Sequence, residues 1–480
     1  MTKIKTNNTI QFILDSNTVT VDFNGRLKPT TTLLNYLRLL PNHKGVKEGC
    51  AEGDCGACTV VIAEQEDDKM VYKTVNSCLV FLPMVHGKQV ITVENLAERN
   101  GKEIRLHPVQ RALVESDGTQ CGFCTPGVVM SLFGLYKNSK NPGRSEVEES
   151  LAGNLCRCTG YQPILNAGIN LPEDNNDKFS ENEEQIMKLL EGIRANYDSV
   201  EIETEKQKYF QPSGIVEAFE LMERYPDAIV ITGSTDIALK QTKNFETLKT
   251  IIDLSAIEFL KGIAETDNEF VIGAATTMEV IKTKLKNKLP VFNEMLSVFA
   301  SKQIRNLATI GGNIATASPI SDTLPLLFAL DAKLKLTSGA GSREVVIQDF
   351  ITGYRKTVLQ KGEIIEAVII PKQSGNVITK YYKVSKRKDV DISSVSAGFT
   401  VELKKSIVNK IILAYGGMAA TTLQATKTEE FLMNKIWEKE NIKQAMELLR
   451  EEFTPLSDAR AGEEYRRDVA ANLLMKFYND

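Results

Sequence analysis

Eight cysteines stand in the first third of this 480-residue chain, and they divide into two quartets with none left over. Cys50, Cys55, Cys58 and Cys78 are spaced C-x4-C-x2-C-x19-C, and Cys121, Cys124, Cys156 and Cys158 are spaced C-x2-C-x31-C-x-C. Four thiolates are the ligand set of one [2Fe–2S] cluster, so the spacing points to two such clusters in series. Glycines at 49, 53 and 56 let the backbone curl around the first quartet and aim N–H groups at sulfur, which tunes a cluster's potential. Cys124 lies just ahead of an expected helix start, where the dipole favours a thiolate. The rival is structural zinc, whose four-thiolate sites usually show two C-x2-C pairs. The first quartet matches that pattern poorly. The C-x-C pair of the second is too tight for a common zinc knuckle, although spacing alone leaves zinc a stronger rival there.

An apolar content of 42% and a charged content of 25% are those of an ordinary globular chain, and the length suggests roughly three domains. A net charge of −4 gives no reason to expect nucleic acid or an anionic membrane as a partner. The start, Met1-Thr2-Lys3-Ile4-Lys5-Thr6 and then Asn7 and Asn8, has no apolar core of signal-peptide length. No apolar run approaches the ~20 residues of a membrane span. The expectation is a cytoplasmic protein, where thiols stay reduced and clustered cysteines read as metal or redox sites. His43, His86 and His107 form no spaced metal pair, and no Ser/His/Asp or Cys/His set remains.

Residues 9–23 alternate as two strands, with Ile10, Phe12 and Leu14, then Val19, Val21 and Phe23, around an Asp15-Ser16-Asn17 turn. Thr31 and Thr32 offer an N-cap to a helix carrying Leu33, Leu34, Leu37 and Leu40. Strands return at 59–63 and 90–93. Residues 105–170 read as helices, with Thr125 as N-cap, Pro126 at N1, an apolar stripe from Val128 to Tyr136, and further starts near Ser145 and Pro163. The acidic stretch 171–205 reads as a linker, partly helical around 186–193. A larger α/β region follows. The final segment opens on the basic run 383–388, continues with strands near 397–403 and 411–415, and ends in helices from about Lys427.

A dinucleotide needs backbone N–H groups against its pyrophosphate, usually from G-x-G-x-x-G after a strand. That motif is missing: Gly339-Ala340-Gly341 has no third glycine and reads as a hairpin turn. Two other Gly-bearing loops are better candidates, because small residues let the backbone approach a phosphate and hydroxyls add donors. One is the strand-like run Ile229-Val230-Ile231-Thr232 entering Gly233-Ser234-Thr235-Asp236-Ile237; the other runs from Arg305 to Asp322 through Ile310-Gly311-Gly312-Asn313. Each alone reads as an ordinary loop. Phe299 alone reads as core, and Lys386-Arg387-Lys388 alone as a solvated surface.

Three motifs together carry a resemblance: CAEGDCGACTV from Cys50, QCGFCTPG from Gln120 and GNLCRCTGYQPI from Gly153. They resemble the iron–sulfur region of the molybdenum hydroxylases, the xanthine dehydrogenase and aldehyde oxidase family. The resemblance implies a multidomain α+β chain. Its expected parts are a plant-ferredoxin-like β-grasp [2Fe–2S] domain at 1–94, a four-helix [2Fe–2S] domain at 95–170 and the acidic linker at 171–205. A vanillyl-alcohol-oxidase-type FAD domain at 206–382 and an α+β flavoprotein C-terminal domain at 383–480 follow. All eight cysteines become cluster ligands, and Gln120 a contact to molybdopterin on a partner. By the same resemblance residues 230–237, Thr309, Gly311, Gly312 and Asn313 hold the pyrophosphate of FAD. Asp322 binds near the adenosine side, Phe299 lies beside the isoalloxazine, and Ile365 and Lys383 match other flavin-contacting positions more loosely. Arg387 and Asp391 fall in the loop that shapes the NAD side. Tyr415-Gly416-Gly417-Met418, Ser457-Asp458-Ala459-Arg460 and Tyr465-Arg466 continue the match into the C-terminal domain, and Thr422 stands where proline is more usual.

The expected function is that of the small FAD and iron–sulfur subunit of a two-chain, bacterial-type xanthine dehydrogenase. No catalytic residue for purine hydroxylation is expected on this chain. A large molybdopterin-binding subunit is the expected partner, in a dimer of heterodimers, with NAD⁺ as acceptor. Flavin can take electrons singly and release them as a pair, which suits an acceptor of hydride. Three rivals are the equivalent subunit of another molybdenum hydroxylase acting on an aldehyde or N-heterocycle, a zinc-stabilised interaction module, and a stand-alone NADH-dependent reductase.

Overall fold

The computed structural model describes residues 5–66, 68–173, 176–196 and 199–480. The reading of Met1, Thr2, Lys3 and Ile4 lies outside the described residues, as does that of Asp174 and Asn175 in the acidic stretch. The chain divides into two compact units, each built from two segments: Met1–Ile257 with Ser301–Ala308, and Glu258–Ala300 with Thr309–Asp480. The division passes through the expected FAD region, leaving residues 206–257 and 301–308 in the first unit.

The first unit opens with a five-stranded sheet. Asn17–Asp22 pairs antiparallel with Thr9–Leu14, which runs parallel to Gln89–Ile91. Gln89–Ile91 and Lys69–Asn76 then flank Thr59–Glu66 antiparallel. The expected hairpin forms, with Asp15 in the left-handed region (φ 58°). Thr32 caps the helix Leu33–Leu39, its hydroxyl accepting from the Asn35 N–H. Alternate residues of Thr59–Glu66 enter two different cores: Val60 and Ile62 share one with Phe12 and Leu37, whereas Val61 and Ala63 share the other with Phe133. A sheet covered on both faces explains why this strand reads as a continuous apolar run.

The second cover is a helical module of Pro108–Glu115, Thr125–Asn138, Arg144–Leu151 and Gln162–Ile169. The expected start at Thr125 moves by one residue. Cys124 is the N-cap, without a side-chain cap bond, and the Thr125 hydroxyl pairs instead with that of Thr119 at 2.6 Å. The expected stripe is also too narrow, because residues 127–136 are buried all round. Gly134 permits this: a Cβ there would lie 2.3 Å from the Thr74 methyl.

The acidic stretch folds where a tether was expected. Lys178–Glu181 and Glu183–Asn196 are helices, and Phe179, Ile186, Leu190 and Ile193 join the core of the helical module. Its glutamates occupy the outer face, so composition registers the solvent side of an amphipathic segment. Ser199–Glu203 then enters a second sheet, ordered Lys5–Asn7, Ser199–Glu203, Lys208–Gln211, Thr250–Asp253 and Ile229–Ile231.

The second unit holds an antiparallel sheet ordered Ile263–Glu265, Glu269–Gly273, Ile364–Pro371, Lys333–Ser338 and Gly341–Val346. The last two strands form the hairpin expected at Gly339-Ala340-Gly341. A further sheet orders Val377–Val384, Val395–Lys404, Ile407–Gly416 and Leu423–Gln424. Helices Lys439–Glu452 and Glu463–Asn479 supply Ile442, Leu449, Leu474 and Phe477 to its core. Among the described residues no helix is long and apolar enough to cross a membrane.

Candidate functional site

The loop carrying Cys50, Cys55 and Cys58 turns through left-handed residues at Ala51 (φ 57°), Gly53 (φ 87°) and Gly56 (φ 68°). These reversals bring successive N–H groups to the inside of the curl. The Glu52 N–H reaches the Cys50 sulfur at 3.4 Å. Gly49 serves by absence of a side chain, since a Cβ there would lie 2.9 Å from Cys55 Sγ. Cys78 follows the neighbouring strand, where the Asn76 amide donates to the Gly53 carbonyl at 2.7 Å and Ser77 Oγ to the Cys58 carbonyl at 2.7 Å.

The four thiols associate as two pairs. A bond from Cys55 draws Cys50 down to about 5, against burial and with help from the N–H groups of Glu52, Cys55 and Asp54. The same bond, with burial, pushes Cys55 upward. Cys78 likewise lowers Cys58 and is itself raised. In the second quartet the Phe123 N–H and then Cys158 lower Cys121, and Cys158 is raised in turn. Burial and then the bond to Cys156 push Cys124 up to about 12. Burial opposes ionisation of Cys156, but the Thr159 hydroxyl at 3.2 Å and backbone N–H groups outweigh it and lower its pKa. Cys121 and Cys158 are exposed, Cys124 half-buried and Cys156 buried, so one edge of this quartet faces outward. Gln120, beside that edge, is exposed.

The two loops touch directly. The Leu155 N–H, next to Cys156, donates to the Cys55 carbonyl at 3.0 Å. The Asn154 amide donates to the Gly56 carbonyl at 3.2 Å. Gly127 lies so close that a Cβ would fall 2.1 Å from the Gly56 oxygen. Sequence reasoning missed Asn154, Ser131 and Gln303, which join in this contact: Gln303 donates to both Ser131 Oγ and Asn154 Oδ1 at 2.9 Å. Their partners lie up to 172 residues away along the chain, and no local pattern signals that.

Of the flavin candidates, residues 230–237 belong to the first unit and the others to the second. The strand Ile229–Ile231 leads into the loop, Ser234 takes φ 58°, and Ile237–Thr242 is helical. Ser234 Oγ donates to the Leu79 carbonyl at 2.6 Å, one residue beyond Cys78. Gly233 packs where a Cβ would lie 1.9 Å from the Leu307 oxygen.

In the second unit Thr309 caps the helix Ile310–Ala315 by accepting from the Gly312 N–H at 3.2 Å, and Gly311 packs against Ala274. Asn313 Oδ1 accepts from Ser321 and Thr323, which flank Asp322. Asp322 accepts from Lys383 Nζ at 2.7 Å and from Ser393 Oγ at 2.5 Å. Lys383 also donates to the Val298 carbonyl at 3.1 Å, next to the buried Phe299. Asp322, Lys383 and the carbonyl preceding Phe299 are thus brought together; Ser393 is an addition that the sequence reading did not single out. Ile365 is buried in the strand Ile364–Pro371. Asp391 folds back on its own loop: burial would raise its pKa, but the N–H groups of Arg387 and Ile392 and the Arg387 guanidinium lower it.

Four family models match the chain in series. They are a 2Fe-2S iron-sulfur cluster binding domain at 14–82, a [2Fe-2S] binding domain at 92–168, an FAD binding domain in molybdopterin dehydrogenase at 202–373 and a CO dehydrogenase flavoprotein C-terminal domain at 380–480. The chain belongs to the molybdenum hydroxylase family. Relatives include xanthine dehydrogenase 1 of Arabidopsis thaliana, 33% identical over 93% of this chain and 38% of the relative. Xanthine dehydrogenase/oxidase of Mus musculus is 34% identical over 94% and 37%. The chain therefore spans little more than a third of the length of these curated relatives. Among solved structures, the carbon monoxide dehydrogenase of Hydrogenophaga pseudoflava, in a form lacking the Mo-pyranopterin moiety, matches at a TM-score of 0.55 and 26% identity. That match covers 57% of this chain and 96% of the other. A cyanide-inactivated Cu,Mo-CO dehydrogenase matches at 0.53 and 29%, over 56% and 94%.

The family's cofactors fit what the residues offer. A two-iron core needs two thiolates on each iron, and both quartets present two sulfur pairs. For FAD, the second unit leaves Gly312 exposed and Asn313 half-buried, and with the Asn313 amide oxygen taken by Ser321 and Thr323, its NH₂ group is a donor suited to phosphate oxygens.

Proposed function

We propose that this chain is the FAD- and iron–sulfur-bearing subunit of a two-chain xanthine dehydrogenase, receiving electrons from a molybdenum centre on a large partner polypeptide and delivering them to NAD⁺. The observation that carries the reading is the 3.0 Å bond from the Leu155 N–H to the Cys55 carbonyl, which joins the two thiol quartets backbone to backbone. An electron relay requires such closeness; two independent zinc staples do not. When bound, the two clusters would pass single electrons, and FAD would exchange a pair with nicotinamide.

The residues divide this work. All eight cysteines would ligate the clusters: Cys50 with Cys55 and Cys58 with Cys78 in the first, Cys121 with Cys158 and Cys124 with Cys156 in the second. The N–H donors in both loops supply hydrogen bonds that stabilise charge on sulfur. The exposed edge formed by Cys121 and Cys158, with Gln120 and the exposed Phe123, Leu155 and Tyr161, supports assigning this face to the molybdopterin-bearing partner. Val230, Ile231, Thr232, Gly233, Ser234, Thr235, Asp236, Ile237, Thr309, Gly311, Gly312 and Asn313 would hold the FAD pyrophosphate. Phe299, Asp322, Ile365 and Lys383 would contact its remaining parts, and the Asp391 loop would shape the nicotinamide side. A cytoplasmic dimer of heterodimers completes the reading. The similarity to carbon monoxide dehydrogenases favours, as a second reading, the same role beside a molybdenum centre of different substrate.

The test is the visible spectrum of the purified chain under argon. A brown-yellow protein bleached by NADH is the expected result. Bleaching by dithionite alone would remove NAD⁺ as the acceptor for the isolated chain, and a colourless zinc protein would overturn the relay. With the large chain co-purified, Cys121→Ser is expected to stop purine-driven bleaching and spare NADH-driven bleaching.

A further inference from the structure

Lys47 stands three residues ahead of Cys50, and its backbone belongs to the first quartet: the Lys47 N–H donates to the Ala57 carbonyl at 3.0 Å, beside Cys58. Its side chain leaves that loop. The ammonium lies over the Phe123 ring, 5.7 Å from the centroid, and 3.4 Å from the Gly45 carbonyl. Phe123 stands immediately ahead of Cys124 in the Cys121-Gly122-Phe123-Cys124 turn, so the cation is held above the second quartet's own loop. The ring reaches back as well, its Cε1 lying 3.7 Å from where a Gly49 Cβ would sit, a point 2.9 Å from Cys55 Sγ. Burial lowers the pKa of the half-buried ammonium; Glu94 opposes this, Arg38 adds to it, and Cys124 and Cys121 of the second quartet raise it. Glu94 is itself fixed, accepting from the Gly45 N–H at 2.6 Å.

We propose that Lys47 sets the electron affinity of the second cluster from within the loop of the first. The inference rests on the iron–sulfur reading above. Reduction of a [2Fe–2S] cluster adds one negative charge, and a fixed cation nearby favours the reduced form. Lys47 thereby biases the sharing of an electron toward the helical module. The phenyl face keeps the ammonium in place through its quadrupole, and Glu94 partly offsets the charge. Lys47 acts through its charge, from an ammonium held by the Gly45 carbonyl and the Phe123 ring.

The experiment is an anaerobic redox titration with dithionite, followed by electron paramagnetic resonance, on the full chain with both clusters loaded. The signal altered by Cys121→Ser identifies the second cluster. Lys47→Met is expected to lower that cluster's electron affinity relative to the first about tenfold, ~59 mV for one electron, and Lys47→Arg to restore most of the shift. Glu94→Gln keeps the acceptor for Gly45 and is expected to shift the same cluster the opposite way. An unchanged separation in Lys47→Met, or both clusters moving together, would overturn the proposal. If Lys47→Met assembles no clusters, an unchanged separation in Glu94→Gln overturns it instead. A wild-type chain lacking two iron–sulfur signals would remove the cluster reading itself, a distinguishable failure.

Discussion

Asp177 shows how far a residue's role can lie from its composition. It sits in the acidic stretch, yet its carboxylate is buried and accepts from His107 Nε2 at 3.0 Å, Lys137 Nζ at 3.1 Å and the Ser180 N–H at 2.8 Å. His107 Nδ1 accepts from the Val109 N–H, which leaves Nε2 as the donor. Burial would raise the carboxyl's pKa; the His107 bond, the Ser180 N–H and Lys137 reverse this and hold it at about 2. A depressed value means that the stabilisation is complete above the unfolded value near 3.8 and is lost as pH falls from there toward 2. Asp177→Asn should cost about 3 kcal/mol at pH 7, because it leaves the buried Lys137 ammonium without its counter-charge and weakens the acceptor for His107. Chemical denaturation should show the gap between variant and wild type narrowing below pH 4, and a gap independent of pH would count against the network.

Elements were legible where the signal was local. The hairpin around Asp15, the Thr32 cap and the Gly339-Ala340-Gly341 turn each depend on residues within a few positions of one another, and the cysteine quartets stand out by residue type even across gaps of 19 and 31 residues. The helix Thr125–Asn138 shows the limit, because its full burial depends on Thr74 and Val61 packing at Gly134. The segment Ser301–Ala308 was illegible for the same reason. Its Gln303 is fully buried, Asn306 donates to the Thr74 carbonyl at 2.8 Å, and the buried Arg305 pairs with Glu149 at 2.6 Å. Each of these hydrogen-bond partners precedes it by more than 140 residues. Gln303→Leu is expected to cost about 1–3 kcal/mol, since Asn154 loses a buried donor while still orienting toward Gly56. A denaturation midpoint equal to wild type would show that the amide contributes nothing.

At the scale of the molecule, the chain passes between its two compact units three times: after Ile257, after Ala300 and after Ala308. The ordered series of four family domains along the sequence therefore differs from the series of compact bodies. A fragment covering residues 1–257 contains all eight cysteines and both five-stranded sheets of the first unit but lacks Ser301–Ala308. Thr74, Glu149 and Asn154 would each lose a buried partner in it. Its clusters are expected to bleach faster under denaturant than those of the intact chain, and equal rates would mean that the segment is dispensable.

The eight residues Ser301–Ala308 also constrain recombination. A chimera joined near residue 257 would bring a homologue's later half to this chain's first half and would carry the homologue's version of those eight residues with it. Those residues would then face Ser131, Glu149 and Thr74 from a different lineage. Interchange of the halves should succeed when this chain's own residues 301–308 are grafted back, so the unit of inheritance here is discontinuous in the gene.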